Sequence, residues 1–192
     1  MSSSSCPVLD QPAEGAHLAV LFAGCEEQWS TLVPYLTGAL ARGEGAVCVT
    51  SAEEDLRARV NAEVVPTSQS YLRGGWFNPD FMLEWLADLS AGAPAGGQGP
   101  RQCIAGVLDW VGDLDPAGLT ELFRYESSLN LIAASSRHTF ACFYDLRALR
   151  AEGVLTVLRT HPRVVLGGMP WDSPFYDESG LDPFAPKSPI LN

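Results

Sequence analysis

Acidic and aromatic side chains follow directly after several apolar runs of this sequence. They are Glu26 and Glu27 after a first run, Asp109 and Trp110 after a central run, and Tyr144 and Asp145 at the end of a later run. An aromatic wall with a few polar groups is what a small-molecule pocket needs. If the runs form neighbouring parallel strands, these side chains meet at the sheet edge where such folds bind ligands. The pattern therefore predicts a ligand site at the carboxyl ends of the strands.

A predicted helix adds three further candidates to this site. Tyr125, Glu126 and Asn130 fall on neighbouring turns and share one helical face. Two interpretations stay open for the aromatic members: Trp110 and Tyr125 line a ligand site, or they fill the core with their polar ends bonded to the backbone. The same choice between site and core stays open for Glu126.

The stretch AVLFAGCEEQWSTLVPYL, residues 19–36, stands where nucleotide-binding α/β proteins often carry a phosphate loop. A loop of the GxxxxGK[ST] type needs flexible backbone, a lysine for the outer phosphates and a hydroxyl for magnesium. After Gly24 the chain offers neither a second glycine nor a lysine, and Glu26 and Glu27 would repel phosphates. A strand-to-helix turn with acids near the helix N-terminus explains the stretch better. The sequence therefore argues against a nucleotide hydrolase.

Other catalytic and metal-binding templates are also missing from the sequence. There is no GxSxG, and none of the five cysteines forms a CxxC pair. His17, His138 and His161 lack the spacing of a metal-binding helix. His17, at the start of the first run, is the one candidate metal ligand, and His161 is placed to complement a helix end. The sequence thus predicts no metal site and no cofactor, and it predicts buried cysteines of a reducing cytoplasm.

Charge and hydropathy exclude several classes of partner. The net charge is −11, and the single lysine, Lys187, belongs to no basic run. Direct binding to nucleic acid or to anionic membranes needs clustered basic residues, so neither is expected. No apolar segment reaches the length of a membrane span, and residues 1–15 lack the pattern of a secretory signal. We therefore expect a cytoplasmic protein.

The elements that must position the candidate residues alternate between strand and helix along the chain. Short apolar runs such as His17–Phe22 are typical of strands buried on both faces. Short strand–helix alternation predicts an α/β fold of three layers, with a mostly parallel sheet and helices on both faces. We expect a flexible leader over residues 1–15, one domain over 16–169 and a proline-rich tail over 170–192. Residues 91–100 read as a flexible surface loop, and Gly153 as a break in the last helix.

A series of blocks in order resembles one known family. The blocks are residues 26–49 (EEQWSTLVPYLTGALARGEGAVCV), 71–86 (YLRGGWFNPDFMLEWL), 104–110 (IAGVLDW), 124–130 (RYESSLN), 140–145 (FACFYD) and 157–168 (VLRTHPRVVLGG), with His17 opening the first strand. Together they are similar to the MEDS domain, a sensory domain of methanogens and methylotrophs found in a dichloromethane-responsive transcription regulator. The resemblance covers the chain from about residue 16 to about residue 176.

This resemblance implies a fold and a role. The family resembles a degenerate RecA/KaiC-type ATPase core whose phosphate loop has been lost, which agrees with the turn at Gly24. It implies sensing of a small organic ligand or metabolite, relayed to an output partner. One departure is that Gly106 is followed by Val107 and Leu108, where related domains often carry a polar or acidic residue. Another is that no helix-turn-helix or kinase segment is attached, so we expect a stand-alone sensory domain.

Three functions follow as hypotheses. The first, which we favour, is a cytoplasmic sensory or regulatory domain that binds a small ligand and signals to a regulatory protein, in transcription or stress. The second is an enzyme of secondary or detoxifying metabolism that uses the same pocket, with Asp109, Glu126, Tyr144 and His161 as acid–base candidates. The third is a protein-interaction module without a ligand. The apolar face of the middle helix leaves two alternatives open, a homodimer contact or burial within the monomer, of which burial is the commoner.

Overall fold

A seven-stranded sheet forms the centre of the computed structural model, which describes residues 6–91, 95 and 99–176. The strands are β1 (His17–Phe22), β2 (Gly45–Thr50), β3 (Glu63–Pro66), β4 (Gln102–Val107), β5 (Thr139–Asp145), β6 (Arg163–Leu166) and β7 (Met169–Asp172). Their order across the sheet is β3-β2-β4-β5-β1-β6-β7. All neighbours pair in parallel except β6 and β7, which are antiparallel.

Helices cover both faces of this sheet. They are α1 (Pro7–Asp10), α2 (Cys25–Ala41), α3 (Glu53–Arg57), α4 (Pro79–Ala91), α5 (Pro116–Ala134) and α6 (Ala151–Thr160), with two 3-10 segments at Thr67–Gln69 and Asp109–Asp113. The first three helices pack on one face and the last three on the other, each around its own apolar core. The predicted three-layer α/β architecture with a mostly parallel sheet is confirmed.

The alternation of side chains along β1 and β5 decides which polar groups can meet. Successive residues of a strand point to opposite faces. Ala19 and Leu21 therefore enter the core under α4, α5 and α6, and His17 has the same parity. In β5, which is registered beside β1, Cys142 and Tyr144 enter that same core. The two central strands thus place an imidazole, a thiol and a phenol on one face of the sheet.

Helix α5 closes over that face and begins at a defined cap. The Asp115 carboxylate accepts a hydrogen bond from the Gly118 backbone N–H at 2.7 Å, and Pro116 occupies the first helical position. The helix then buries a stripe that includes Leu122, Glu126 and Leu129, at the three- and four-residue spacing of one helical face. Glu126 is the one carboxylate among the buried α5 residues.

The structure differs from the expected domain limits at both ends. Residues 7–10 of the expected leader form α1, and Leu9 is buried in the core with Cys6. Residues 170–172 of the expected tail belong to β7, because the Gly167–Gly168 turn returns the chain antiparallel to β6. The prediction of a proline-rich tail from residue 170 was wrong for these residues, because Pro170 lies on an edge strand, where a missing N–H is tolerated.

Two smaller expectations can also be compared with the structure. Gly153 lies inside α6 and does not interrupt it. The flexible loop expected over residues 91–100 overlaps α4, which ends at Ala91. Its residues 92–94 and 96–98 lie outside the described residues, as do 1–5 and 177–192. Among the described helices, none is both long and apolar enough to cross a membrane.

Candidate functional site

Five polar side chains meet in the core between the sheet and the helices α5 and α6. We call this set the buried polar cluster: His17 of β1, Glu126 of α5, Cys142 and Tyr144 of β5, and His161 directly after α6. Each of the five is at most 3% exposed. Buried ionisable groups are costly unless they are paired, so their convergence points to a built site.

Glu126 is the centre of the cluster. Its Oε1 accepts a hydrogen bond from the Tyr144 hydroxyl at 2.5 Å. Its Oε2 lies 3.1 Å from Nε2 of His17, 3.6 Å from Nε2 of His161 and 3.6 Å from Sγ of Cys142. One carboxylate oxygen therefore faces two imidazoles and a thiol at once.

Asn130, one helical turn after Glu126, fixes the orientation of His17. The Asn130 Nδ2 group donates to the backbone carbonyls of Glu126 at 3.1 Å and Thr160 at 2.7 Å. Its Oδ1 is then the atom that faces Nδ1 of His17 at 3.1 Å, so the imidazole must donate from Nδ1. Nε2 of His17 is thereby directed at Glu126 and, at 3.4 Å, at the Cys142 thiol.

His161 is held in the same way from the other side. Its Nδ1 lies 2.9 Å from the Val157 carbonyl, which can only accept, so Nδ1 carries the proton. The ring stacks at an angle on His17, with centroids 4.2 Å apart. Nε2 of His161 is buried and has no hydrogen-bond partner among the described residues. A lone pair is thus directed at the cluster without a donor.

Burial and neighbouring groups shift the pKa values of four members of the cluster: Glu126, Cys142, Tyr144 and His161. Burial opposes charge on Glu126, but the hydrogen bond from His17 and the nearby imidazoles lower the pKa of this carboxyl overall. Burial, and then the charge of His17, lower the pKa of His161 to about 3. Burial and the Glu126 charge raise the pKa of both the Cys142 thiol and the Tyr144 phenol. The cluster therefore contains an ionised carboxylate, a neutral His161 and a protonated thiol.

A pocket reaches the cluster from the amino edge of the sheet. This amino-edge pocket has a volume of about 360 Å³. Its walls come from the N-terminal segment, the last turn of α5 and the segment around β6 and β7: Val8, Ala13, Gly15, Ala16, Leu18, Leu131, Ala134, Pro162, Arg163, Asp172 and Tyr176. Two members of the polar network, His17 and Asn130, also line it. The cluster is thus buried, and one of its members, His17, also borders a surface cavity.

The residues predicted from the sequence do not all meet. Glu126, Asn130 and Tyr144 come together on the face of the sheet that α5 covers, toward its amino edge. His17, the candidate metal ligand, joins them, and so does His161, which was predicted only as an acid–base candidate of the enzyme hypothesis. Cys142 was not predicted as a site residue. The signal that could have found the site is Glu126 itself, since it stands on the apolar stripe of its helix, where a carboxylate requires partners.

Tyr125 and Trp110 lie in a separate aromatic group. The Tyr125 hydroxyl donates to Tyr71 Oη at 3.3 Å, and Trp110 stacks on Tyr71 and Phe77 with centroids 5.4 and 4.8 Å apart. The cavity that adjoins Tyr125 measures about 10 Å³, which holds at most a water molecule. The geometry agrees with the packing alternative for Tyr125, and a ligand-binding role for these two residues stays a prediction.

Glu26, Glu27, Asp109 and Asp145 do lie at the carboxyl edge, and three of them bond to neighbouring groups of the protein. Glu27 Oε2 accepts from the Ala23 backbone N–H at 2.8 Å, and the Ser51 hydroxyl donates to Asp109. Asp145 is paired with Arg147 at 2.7 Å, and Glu26 is exposed at the start of α2. In the part of the chain that the structure describes, three of these carboxylates are thus engaged by protein groups, and a ligand-binding role for the four stays a prediction.

Arg147 packs against the turn at Gly24, where a nucleotide-binding fold would carry its phosphate loop. Gly24 has φ +97°, and a Cβ there would lie 3.0 Å from the Arg147 guanidinium. The backbone N–H of Gly24 helps to lower the pKa of Asp145, after the larger effect of its hydrogen bonds from Arg147. Carboxylates of the protein thus take the amide donors that would face a phosphate in a nucleotide-binding loop.

No curated protein sequence matches the chain. Among solved structures, the chain is similar to EssC (ATPases 2 and 3) from Geobacillus thermodenitrificans, with 12% identity and a TM-score of 0.44 over 79% of this chain. The chain spans only 32% of that protein.

A family model gives the assignment. The model of the MEDS family, the methanogen/methylotroph, DcmR sensory domain, matches residues 16–162. The match covers more than half of the chain and includes all the elements that build the buried polar cluster. This chain therefore belongs to the MEDS family of sensory domains.

Proposed function

We propose that this sensory domain detects a small organic molecule in the amino-edge pocket and relays binding to a regulatory protein partner. The observation that carries the proposal is that His17 and Asn130 line the pocket and at the same time belong to the buried hydrogen-bond network. A molecule in the pocket can therefore exchange hydrogen bonds with the network, and only such differential contacts can shift a conformational equilibrium.

The lining of the pocket supports a small, largely apolar ligand with one polar group. Ligand pockets measure roughly 300–1,000 Å³ and are mostly apolar with a few placed polar groups. A volume of about 360 Å³ lies at the lower end of that range. Apolar walls from Val8, Ala16 and Leu131 surround the polar floor of His17 and Asn130.

The relay would run through the hairpin of β6 and β7. His161 is two residues before Arg163, the first residue of β6. Arg163 pairs with Asp172 across the hairpin at 3.0 Å, and both line the pocket. The outer strand exposes large apolar side chains, with Trp171 62% exposed and Met169 59% exposed. Exposed apolar groups on an edge strand are suited to a protein contact.

Titration of the ¹⁵N-labelled chain with a panel of small alcohols, ketones, amines and amides tests the proposal. We expect amide shifts at Gly15, Ala16 and Asn130 for at least one compound. Ala134→Phe should abolish these shifts, because Ala134 lines the pocket and its side chain is exposed. Ala117→Phe, the same change at an exposed position in the first turn of α5, is the matched control.

The carboxyl edge is the alternative location of the ligand. Asp109→Asn alters an exposed residue of that edge and leaves the amino-edge pocket unchanged. Shifts that survive Ala134→Phe and disappear in Asp109→Asn would contradict the proposal and favour the carboxyl edge.

We also propose that the fold descends from a nucleotide-binding core of the RecA/KaiC type and no longer binds the nucleotide. The turn at Gly24, with its single glycine and with Arg147 packed against it, supports this. Equilibrium dialysis with ATP and Mg²⁺ tests it, and we expect no retention. Retention that is lost in Arg147→Ala would contradict it.

A further inference from the structure

We propose that the buried polar cluster is a site for a divalent transition-metal ion. The four ligands are Nε2 of His17, Oε2 of Glu126, Sγ of Cys142 and Nε2 of His161. Within the described residues, these four form the one group of His, Cys, Asp or Glu whose donor atoms converge to within 4.8 Å of one another. The proposal does not depend on the function of the amino-edge pocket.

The spacing of the donor atoms fits a tetrahedral site. Metal–nitrogen and metal–oxygen bonds of about 2.0–2.2 Å and metal–sulfur bonds of about 2.3 Å place the ligand atoms of a tetrahedron roughly 3.3–3.7 Å apart. Glu126 Oε2 lies 3.1 Å from His17, 3.6 Å from Cys142 and 3.6 Å from His161. His17 lies 3.4 Å from Cys142. The two remaining distances, from Nε2 of His161 to His17 and to Cys142, are within 4.8 Å. We therefore expect the His161 ring to move toward the ion when it binds.

The outer contacts of the ligands match those of established metal sites. Metal-bound histidines usually donate their second N–H to a carbonyl or carboxylate, which fixes the ring. Here His17 donates from Nδ1 to the Asn130 side-chain carbonyl, and His161 donates from Nδ1 to the Val157 carbonyl. Tyr144 donates to the second oxygen of Glu126. All three arrangements leave the inward-facing atoms free to coordinate.

The lone pair of His161 is the observation that the hydrogen bonds of the protein do not explain. Its Nε2 is buried, accepts no hydrogen bond from the described residues and faces a carboxylate oxygen, which is also an acceptor. Two acceptors opposed in a dry interior repel each other. A cation between them converts this repulsion into two bonds.

Charge balance supports a divalent ion. A carboxylate and a thiolate carry two negative charges, and two neutral imidazoles add none, so a divalent cation leaves the buried site neutral. On binding, the Cys142 thiol releases its proton to solvent, as metal-binding thiols do. A mixed set of nitrogen, sulfur and one oxygen selects zinc, cobalt or a similar metal over magnesium and calcium, which require oxygen ligands.

Cobalt(II) is the probe of choice, because tetrahedral cobalt absorbs strongly in the visible range and cobalt–thiolate bonds add a charge-transfer band in the near ultraviolet. The full chain is refolded from denaturant with chelator, and separately with cobalt(II), so that burial does not block entry. We expect both absorptions, one cobalt per chain in native mass spectrometry, and displacement of cobalt by zinc.

Two cysteine variants give the test its specificity. Cys142→Ser should abolish the charge-transfer band and weaken cobalt binding at least tenfold. Cys48→Ser makes the same change at an equally buried strand cysteine under the opposite face of the sheet, and it should retain the band. His161→Gln, a second ligand variant, should also weaken binding, and circular dichroism establishes that each variant folds.

The opposite results would overturn the site. A refolded wild-type chain without tetrahedral absorption would show that the cluster does not bind the metal. A band that persists in Cys142→Ser or is lost in Cys48→Ser would place the metal elsewhere. Neither result bears on the pocket titration, which can be carried out with chelator present.

Discussion

At the scale of single residues, Glu126 organises the interior of the domain. It is fully buried, and it bonds or faces four other side chains of the cluster. In the metal-free protein, with chelator present, Glu126→Ala removes the carboxylate that faces the His17 imidazole and accepts the Tyr144 hydrogen bond. Removing one member of a buried charged network costs about 3–5 kcal/mol. We expect a loss of that size in the free energy of unfolding, measured by urea denaturation.

A surface glutamate of the same helix provides the control for this experiment. Glu121 is exposed and pairs with Arg124 one turn away. Exposed pairs contribute about 0–1 kcal/mol, so Glu121→Ala should change the free energy of unfolding by less than about 1 kcal/mol. Equal losses in the two variants would show that Glu126 is not held by the network described here.

Gly24 is a second residue whose type is required by its surroundings. Its φ of +97° is a conformation that L-residues rarely adopt, and a Cβ would meet the Arg147 guanidinium. Gly24→Ala should therefore lower the free energy of unfolding by about 1–3 kcal/mol, the cost of a residue held in a sparsely populated conformation.

Gly38, inside α2, is a matched position with the opposite expectation. Its Cβ would lie 3.2 Å from Nη1 of Arg42, whose guanidinium is held by the Asp10 carbonyl and Glu44. A helical Gly→Ala change gains about 0.5–1 kcal/mol, which offsets the small shift required of Arg42, so Gly38→Ala should not destabilise the chain in the same urea assay. A neutral Gly24→Ala would contradict the strain assigned to the turn.

At the scale of elements, α5 must be positioned so that Glu126 and Asn130 reach the sheet. The cap at Asp115 begins the helix, more than two turns before Glu126. Asp115→Ala should cost about 1 kcal/mol, the usual value of a lost N-cap. Asp113→Ala, an exposed neighbour outside the helix, is the control and should be neutral. Urea midpoints measure both, and a neutral Asp115→Ala would contradict the cap.

Much of this element scale could be predicted from the sequence. The strand runs and the alternation of strand and helix are local signals, and so is a polar residue of N-cap type, such as Asn78 or Asp115, before a helix. Asn78 Oδ1 does accept from the Phe81 backbone N–H at 3.1 Å. β7 escaped prediction because an antiparallel edge strand containing Pro170 has no local pattern. The strand order lies beyond local patterns altogether, since it is set by contacts distant in the chain.

At the scale of the whole molecule, the candidate site also combines residues that the sequence marks with contacts that the sequence does not reveal. His17 and Asn130 are 113 positions apart, and Cys142 and His161 come from two further elements. The sequence identifies Glu126 and His17 as unusual, but it does not reveal that their partners are a strand cysteine and a histidine after a helix. Only the sheet order, with β5 beside β1 and β1 beside β6, brings these elements together.

This arrangement predicts how binding at the cluster would spread through the molecule. His161 joins α6 to β6, and the end of the β6–β7 hairpin is tied back to α6, because Ser173 donates to the carbonyls of Leu158 and Pro162. A metal that draws His161 inward must therefore act on the hairpin. Hydrogen exchange of the chain with and without zinc should show slower exchange over residues 160–173.

The far edge of the sheet is the internal reference for that measurement. β3 and α3 lie at the opposite side, beyond β2 and β4, and share no residue with the cluster. Their exchange should not change with zinc. Protection confined to α5 and β5 would retain the metal site but contradict the relay through the hairpin. Protection that includes the hairpin would make its exposed edge, with Trp171 and Met169, the surface through which the sensory domain reports its state.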